Sequence, residues 1–506
     1  MTITPTNLNE ILDWLREVAP GAQLSSDSRS IAQGDVFLAY PGDSADGRHF
    51  IADAIARGAQ AVLFDGTDFD WNDDWNVPHL ALADLKLAAG HVANAYYGRP
   101  DADMYTVAVT GTNGKTSSAQ WIGNALSRLE QSTAVIGTLG VSLYQHGESG
   151  AHDETGYTTP DAVLLQRKLA ALHAAGASAL AIEASSIGLD QGRLNGLHVD
   201  VAVFTNFTRD HLDYHGDMAS YEVAKTRLFD WPGLRYGVVN LDDEMGLRLA
   251  HAYQDKLTLI GYTLQDDGEV PNLPGVVILR ATDIRSRHAG TEFQLDTPYG
   301  SSAVKINMVG RFNVSNVLGV LGVLLAKAVD LHAAVGALEA LTPAPGRMQQ
   351  LGGADAPMIV IDYAHTPDAL EKTLAALRQV AQERHGQLWC VFGCGGDRDP
   401  GKRPQMGAIA QAADHVVVTS DNPRSENAHQ IIEQILAGMT STPQAIDDRA
   451  AAILSAVRHA EKNDVILLAG KGHESSQEVM GKKLSFSDTD HAALALAARA
   501  TMGRAL

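Results

Sequence analysis

Residues 105–116 read YTVAVTGTNGKT, an apolar strand that runs directly into a glycine turn, closes on Gly-Lys-Thr and opens the helix-like segment SSAQWIGNALSRL. This order suits a nucleotide triphosphate. N–H groups of Gly111, Thr112, Asn113 and Gly114 and of the helix start at Ser117 can point at phosphates, Lys115 adds a mobile positive charge, and the Thr116 hydroxyl is placed to ligate Mg²⁺. The general phosphate-loop pattern wants a glycine where this chain has Val109, so the loop is a shorter variant. Gly-Lys-Thr also occurs in plain turns that open helices; the strand before it and the helical pattern after it favour the nucleotide.

Outward from this loop, apolar runs alternate with helical patterns. Before it, GDVFLAYPG, AQAVLF and HLALA are separated by segments such as HFIADAIARGA, which predicts a small N-terminal α/β domain over 1–99. After it come TAVIGTLG, ALAIEASS, VDVAVFTNF and YGVVN, then the strand-rich TEFQLDTPYGSSAVKI. This predicts a central P-loop ATPase domain with a mainly parallel sheet over 100–343. Pro343 to Gly346 read as a linker. Beyond it PMIVIDYAH, QLWCVFGCGG, HVVVTSDNP and NDVILLAGKG each end in polar or glycine-rich residues, which predicts a C-terminal Rossmann-like α/β domain over 344–506 with ligands beyond the strand ends.

A chain of 506 residues calls for several cores, and 45% hydrophobic with 20% charged residues is ordinary globular composition. A net charge of -21 opposes binding to nucleic acid or anionic membrane, so polyanionic substrates need local Lys, Arg and Mg²⁺. The start MTITPTNLNEILDWLREVAP lacks a basic segment followed by an apolar core, and the run Val317 to Ala326 is too short to cross a bilayer. Cys390 and Cys394 alone make neither a disulfide framework nor a zinc site, and a reducing cytoplasm is expected.

Strand ALAIE delivers Glu183 at its end, and VAVFTNFTRDHLDYHG delivers Asn206, Asp210, His211 and Asp213 in the same way. Glu183 and His211 are candidate Mg²⁺ ligands beside Thr116, although imidazole is an unusual partner for that hard cation. Spacing alone leaves His211 equally able to orient a turn. Lys225, in SYEVAKTRLFD, reads by itself as a solvated helix lysine. GRFNVSN sets two amides a helical turn apart; Asn313 either meets a base edge or caps the helix. In the last third, Arg398 and Arg424 can fork onto carboxylates, while Asp421, Asn422 and Glu474 can take an ammonium; the alternative for Asp-Asn-Pro-Arg is a plain turn.

SDSRSIAQGDVFLAYPG, TGTNGKT, YTTPD, EASSIGLDQGR, TNFTRDHLDYHG with YEVAKTRLF, GRFNVSN, PGRMQ, DYAHTPD, GCGGDRDPGKRP, SDNPRSE and GKGHE occur in this order over essentially the whole chain. In them the chain resembles the Mur ligases, ATP-dependent amide-forming enzymes of peptidoglycan precursor synthesis. The resemblance implies a UDP-binding first domain, an ATPase middle domain and an amino-acid-binding last domain. It implies that Ser26 and Ser28 lie on the uridine side, and that Tyr157, Thr158, Thr159, Ser185, Gln191 and Arg193 face a UDP-N-acetylmuramoyl-dipeptide. Asn313 and Arg347 would face ATP, and Lys115, Glu183, His211 and Lys225 would serve catalysis. Lys225 would be carbamylated and join Thr116, Glu183 and His211 as a Mg²⁺ ligand. Arg398, Asp421, Asn422, Pro423, Arg424, Gly470 and Glu474 would surround meso-diaminopimelate, because DNPR is typical of the diaminopimelate-adding branch and an arginine can clamp that substrate's second carboxylate. The chain departs from many relatives at Ile187, where they carry His, and at Tyr157, where some carry Asn. A monomer is expected, with small-molecule substrates and no membrane insertion. Competing expectations are a related ligase with another acceptor, such as lysine or a folate polyglutamate, and a nucleotide-dependent switch that ligates nothing.

Overall fold

The computed structural model describes residues 5–43, 45–153, 155–266, 273–287 and 290–502; the first four residues of the N-terminal stretch lie outside them. The chain forms two compact units, one of Met1–Thr110, Leu126–Ala202 and Ala224–Arg235, the other of Gly111–Ala125, Val203–Val223 and Tyr236–Leu506.

The first unit begins with a four-stranded sheet in the order Leu24–Ser25, Val36–Ala39, Ala61–Asp65, His79–Leu82, parallel throughout. Val36–Ala39 and Ala61–Asp65 are apolar runs buried along their length, as strands covered on both faces must be. Ile11, Leu15, Val92 and Ala93 from helices Pro5–Val18 and Leu85–Tyr96 pack one side; Ile51 and Ala54 pack the other. Further along, Tyr105–Thr110 pairs in parallel with Ala179–Glu183, which pairs in parallel with Thr133–Gly137; Gly140–Gln145 then returns antiparallel. Glu183 therefore stands at the carboxyl end of a central strand whose residues are all buried.

In the second unit Tyr236–Asn240, Thr258–Thr263 and Val277–Arg287 are parallel neighbours, and Gly290–Thr297 with Gly300–Ile306 continue them as antiparallel hairpins. Helix Arg311–Ala326 packs on these strands and is buried without a break from Val317 to Leu324, within the apolar run Val317 to Ala326. A Cβ on its Gly322 would come within 2.6 Å of Val238 Cγ1, so glycine there lets helix and sheet approach.

The last third forms a six-stranded sheet in the order Gln349–Gly352, Met358–Asp362, Val465–Ala469, Leu388–Phe392, His415–Thr419, Gln444–Ile446, parallel apart from the first strand. Leu370, Leu374, Leu377, Met406, Ile431 and Ile435 pack one face; Ile453, Ala456, Val457, Ala492 and Ala495 pack the other. The strands Met358–Asp362, Leu388–Phe392, His415–Thr419 and Val465–Ala469 end where DYAHTPD, GCGGDRDPGKR, SDNPRSE and GKGHE begin. The α/β layering and the strand positions agree with the sequence. The antiparallel edge strand Gln349–Gly352, too short to show a period of its own, is an addition.

Candidate functional site

Helix Lys115–Arg128 starts at the lysine of the phosphate loop. Gly111 and Gly114 hold φ of +142° and +87°, and a Cβ on them would stand 1.9 Å from Thr205 Oγ1 and 2.6 Å from Asn316 Oδ1. Glycine is required twice over, by conformation and by space. Asn206 pins the loop: its Oδ1 accepts the Asn113 N–H at 2.9 Å, its Nδ2 donates to Asn113 O at 3.0 Å, and its carbonyl accepts the Thr112 N–H at 2.8 Å. Lys115 Nζ donates to Gly111 O at 2.9 Å and Thr112 O at 2.8 Å, which keeps the cation in the loop. Arg347 donates to Thr116 Oγ1 at 3.0 Å with its guanidinium 4.3 Å from the Tyr363 ring centre, and Asn113 Nδ2 donates to Asp368 Oδ2 at 3.0 Å. Ser117, like Thr116, is buried.

Asn313 does not cap its helix. Gly310 is the cap residue, without a side-chain bond, and Asn313 Nδ2 donates back to Val309 O at 2.8 Å. Of the two amides in GRFNVSN it is Asn316 that crowds the phosphate loop, through Gly114. Spacing showed the pair and could not tell its members apart.

His211 has φ of +54° at the head of the short helix Leu212–His215 and makes no side-chain cap bond there. Its Nε2 lies 3.4 Å from Asp210 Oδ2, and His365 Nε2 lies 3.7 Å from the same oxygen. Burial pushes the Asp210 carboxyl up, but the His365 hydrogen bond and the charges of His211, His365 and Lys402 outweigh it and hold the group well below the usual carboxylate range.

Beyond the six-stranded sheet, Asp421 and Asn422 are buried, so the Asp-Asn-Pro-Arg segment is more than a surface turn. Arg424 adopts φ of +51°, and its Nη1 donates to Gly396 O at 2.8 Å, tying SDNPR to the GGDRD loop. Gly470 has φ of +113°, and a Cβ on it would meet Asp421 Oδ2 at 2.5 Å. Asn422 Nδ2 donates to Glu474 Oε2 at 2.8 Å. Arg398 is exposed at the loop tip and donates to Asp397 O at 3.0 Å. Three buried cations that the sequence did not single out brace these loops. Arg403 forks onto Glu426 at 2.8 and 2.9 Å, Arg449 forks onto Asp488 at 2.7 Å and donates to Ser420 O and Ala469 O, and Lys471 reaches Glu474 at 2.8 Å.

In the first unit, Glu183 is 1% exposed and accepts the Thr138 N–H at 2.8 Å on Oε1 and the Thr138 hydroxyl at 3.1 Å on Oε2. Thr158 Oγ1 lies 3.1 Å from that hydroxyl. Thr159 Oγ1 donates to Glu183 O at 2.8 Å, and Ser185 caps helix Ser186–Asp190 by accepting the Gly188 N–H. Arg193 donates to Thr159 O at 2.9 Å and to Gln191 Oε1 at 2.8 Å, and lies 4.7 Å over the exposed ring of Tyr157. Ser26 donates to Asp161 Oδ1 at 2.7 Å, and Ser28 opens the short 3-10 turn Ser28–Ser30. Lys225 is 1% exposed, which corrects the solvated-lysine reading: three and four residues on, Leu228 and Phe229 are buried, so it falls on the inward stripe.

Among the described residues no group of three or more His, Cys, Asp or Glu is arranged to hold a metal ion. Each unit offers an oxygen donor of the kind Mg²⁺ takes, the Thr116 hydroxyl in one and the Glu183 carboxylate in the other. No described helix is long and apolar enough to cross a membrane.

A phosphate loop that follows a parallel sheet strand, and beyond it an α/β sheet with charged loops at its strand ends, is the layout of a nucleotide-handling α/β protein. Three family descriptions match: "Mur ligase family, catalytic domain" over 22–97, "Mur ligase middle domain" over 109–324 and "Mur ligase, glutamate ligase domain" over 346–472. The chain is 64% identical to a UDP-N-acetylmuramoyl-L-alanyl-D-glutamate--2,6-diaminopimelate ligase from Janthinobacterium sp. (strain Marseille), covering 99% of both, and 46% identical to one from Pseudomonas aeruginosa, covering 98% and 99%. A solved structure under that enzyme name matches with TM-score 0.64 at 35% identity, over 96% of this chain and 99% of the other. The chain belongs to the Mur ligase family, and it is an enzyme of the ligase class.

Proposed function

We propose that the chain joins meso-diaminopimelate to the γ-carboxylate of the D-glutamyl residue in UDP-N-acetylmuramoyl-L-alanyl-D-glutamate, converting ATP to ADP and phosphate in cytoplasmic peptidoglycan precursor synthesis. The observation that carries this reading is the C-terminal loop arrangement: Arg424 set at a left-handed φ beside buried Asp421 and Asn422, with Glu474 hydrogen-bonded to Asn422. A guanidinium and carboxylates carried on the same set of strand-end loops suit an amino-acid zwitterion. The relatives that share the chain's full length carry the same substrate in their names.

The reaction needs no side-chain nucleophile. The loop amides and Lys115 neutralise the triphosphate so that the substrate carboxylate can approach the γ-phosphorus in line, giving an acyl phosphate and ADP. The neutral amine of diaminopimelate then attacks the acyl carbon; phosphate leaves, the amine loses a proton and the amide remains. We assign Gly111 to Ser117, Asn313 and Arg347 to ATP. Ser26, Ser28, Tyr157, Thr158, Thr159, Ser185, Gln191 and Arg193 are assigned to the uridine-linked dipeptide, and Arg398, Asp421 to Arg424, Gly470 and Glu474 to diaminopimelate. Mg²⁺ supplies further charge neutralisation when bound, and Thr116, His211, Glu183 and carbamylated Lys225 are the residues assigned to hold it. Burial sets Lys225 apart from a solvated helix lysine, and a carbamate on it would supply the oxygen ligand that an amine cannot. We place the domain limits at 1–99, 100–343 and 344–506 and expect a monomer.

The test is turnover of the uridine-linked dipeptide with diaminopimelate and with lysine, by the wild type and by Arg424→Ala. Loss of one partner of a desolvated ion pair costs about 2–5 kcal/mol, so Arg424→Ala is expected to lose diaminopimelate turnover by about a hundredfold with ATP binding unchanged. Equal turnover by both proteins removes the specificity assignment. Phosphate release that needs no amino acid points to a nucleotide switch.

A further inference from the structure

Lys471 lies between two glycines, Gly470 and Gly472, with φ of +113° and +54°, a backbone that turns its side chain inward. The side chain is 0% exposed. An ammonium has three protons, and here each has an acceptor: Glu474 Oε2 at 2.8 Å, Ser476 O at 2.8 Å and Asn422 Oδ1 at 3.2 Å. Asn422 Oδ1 also accepts the Glu478 N–H at 2.9 Å. The amide of Asn422 thus has its oxygen between two donors, and its NH₂ can face only Glu474, where it donates to Oε2 at 2.8 Å. Flipping it would set NH₂ against an ammonium and a peptide N–H. Glu474 in turn has Oε2 engaged twice, and these bonds do not use Oε1.

We propose that Lys471 is a positioning residue that fixes the Asn422 amide and one oxygen of Glu474, and so leaves the other Glu474 oxygen aimed to receive an ammonium group of the amino-acid substrate. The inference rests on the diaminopimelate reading above. A cation with no route to solvent is held in place by the groups it organises, and it acts on the substrate only through them. Without it, Glu474 loses its fixed rotamer, and Asn422 is free to turn.

The decisive measurement is a full kinetic comparison of wild type and Lys471→Met, with thermal melting to establish that the variant is folded. Loss of the charged hydrogen bonds that orient Glu474 is expected to raise KM for diaminopimelate about tenfold or more, while KM for ATP and for the uridine-linked dipeptide stays within about twofold. If Lys471→Met does not fold, Lys471→Gln, which is uncharged and has two protons on a shorter side chain for the three acceptors, carries the same measurement with the same expectation. An unchanged KM for diaminopimelate in a folded variant, or a parallel rise in all three KM values, overturns the inference. The wild-type control separates this from failure of the functional reading: a wild type that makes no amide from diaminopimelate overturns both, whereas an active wild type with an indifferent Lys471 overturns this inference alone.

Discussion

Carboxylates at strand ends are held in two different ways in this molecule. In the first unit Glu183, 1% exposed, accepts two neutral donors, the N–H and hydroxyl of Thr138. In the C-terminal sheet the comparable acids are held by buried cations: Asp488 by Arg449, Glu426 by Arg403, Glu474 by Lys471. Neutral donors orient a carboxylate without forming an ion pair with it, which suits a group assigned to a cation. Buried cations cancel the charge locally and fix geometry, which suits loops that must present selected atoms to a zwitterion. The difference predicts that disturbing the first arrangement costs activity, and disturbing the second costs stability or substrate affinity.

The sharpest break should come at Arg449. Its side chain and that of Asp488 are both 0% exposed, and it also donates to Ser420 O and Ala469 O, the carbonyls at the ends of two core strands. Arg449→Met leaves a buried anion and two carbonyls short of donors. The expected loss is about 3–5 kcal/mol, read as a large drop in melting temperature. The double change Arg449→Met with Asp488→Leu should recover much of it, because no uncompensated charge remains. A single variant that melts with the wild type would show that the cation braces nothing.

These cations mark the limit of what the sequence discloses. The phosphate loop was legible because its chemistry is local: strand, glycines, lysine and hydroxyl lie within twelve consecutive residues. The strand ends were legible because continuous apolar runs stop abruptly at polar residues. Arg449 was not, since an arginine opening RAAAILSAV looks like the solvent side of a helix, and its partner is thirty-nine residues away. Lys471 stands between two glycines in GKGHE, where no periodic pattern marks a lysine as buried. Lys225 needed a family resemblance to be promoted, although Leu228 and Phe229 in register already mark an inward face. Asn316 and Asn313 share one motif, and only packing against Gly114 separates them.

Asp200 tests the comparison from within the first unit, because it is held by both kinds of donor. It accepts the Thr106 N–H at 2.9 Å, and its other oxygen meets Arg235 and, at 3.2 Å, His198. Burial raises the carboxyl, and the Thr106, Arg235 and His198 bonds overcome this to lower it below its ordinary value. A lowered folded-state pKa means stability that is complete above the unfolded value, about 4, and is lost as pH falls through the folded value. Asp200→Asn should therefore cost about 1–2 kcal/mol at neutral pH, and the gap in melting temperature from wild type should close towards pH 3. A gap that is constant across that range would mean the charge contributes nothing.

The smallest effect on stability, and the most telling for the neutral arrangement, is expected at Thr138. Its one hydroxyl proton goes to Glu183 Oε2, so in the contact with Thr158 it must accept, which makes a directed chain from Thr158 through Thr138 to Glu183. The preceding residue leaves no room for adjustment, since a Cβ on Gly137 would stand 2.1 Å from Glu183 Oε1. Thr138→Val keeps the shape and the backbone N–H and removes only the hydroxyl. Stability should fall by about 0.5–1.5 kcal/mol, the worth of one hydrogen bond. If Glu183 serves as a metal ligand, a carboxylate released on one side loses its aim, and turnover should fall by about tenfold, or about 1.4 kcal/mol of barrier. Thr138→Ser restores the donor and should bring turnover back to within about twofold. A valine variant as active as the wild type would show that Glu183 needs no hydroxyl to hold it, and the contrast between neutral and charged bracing would then concern stability alone.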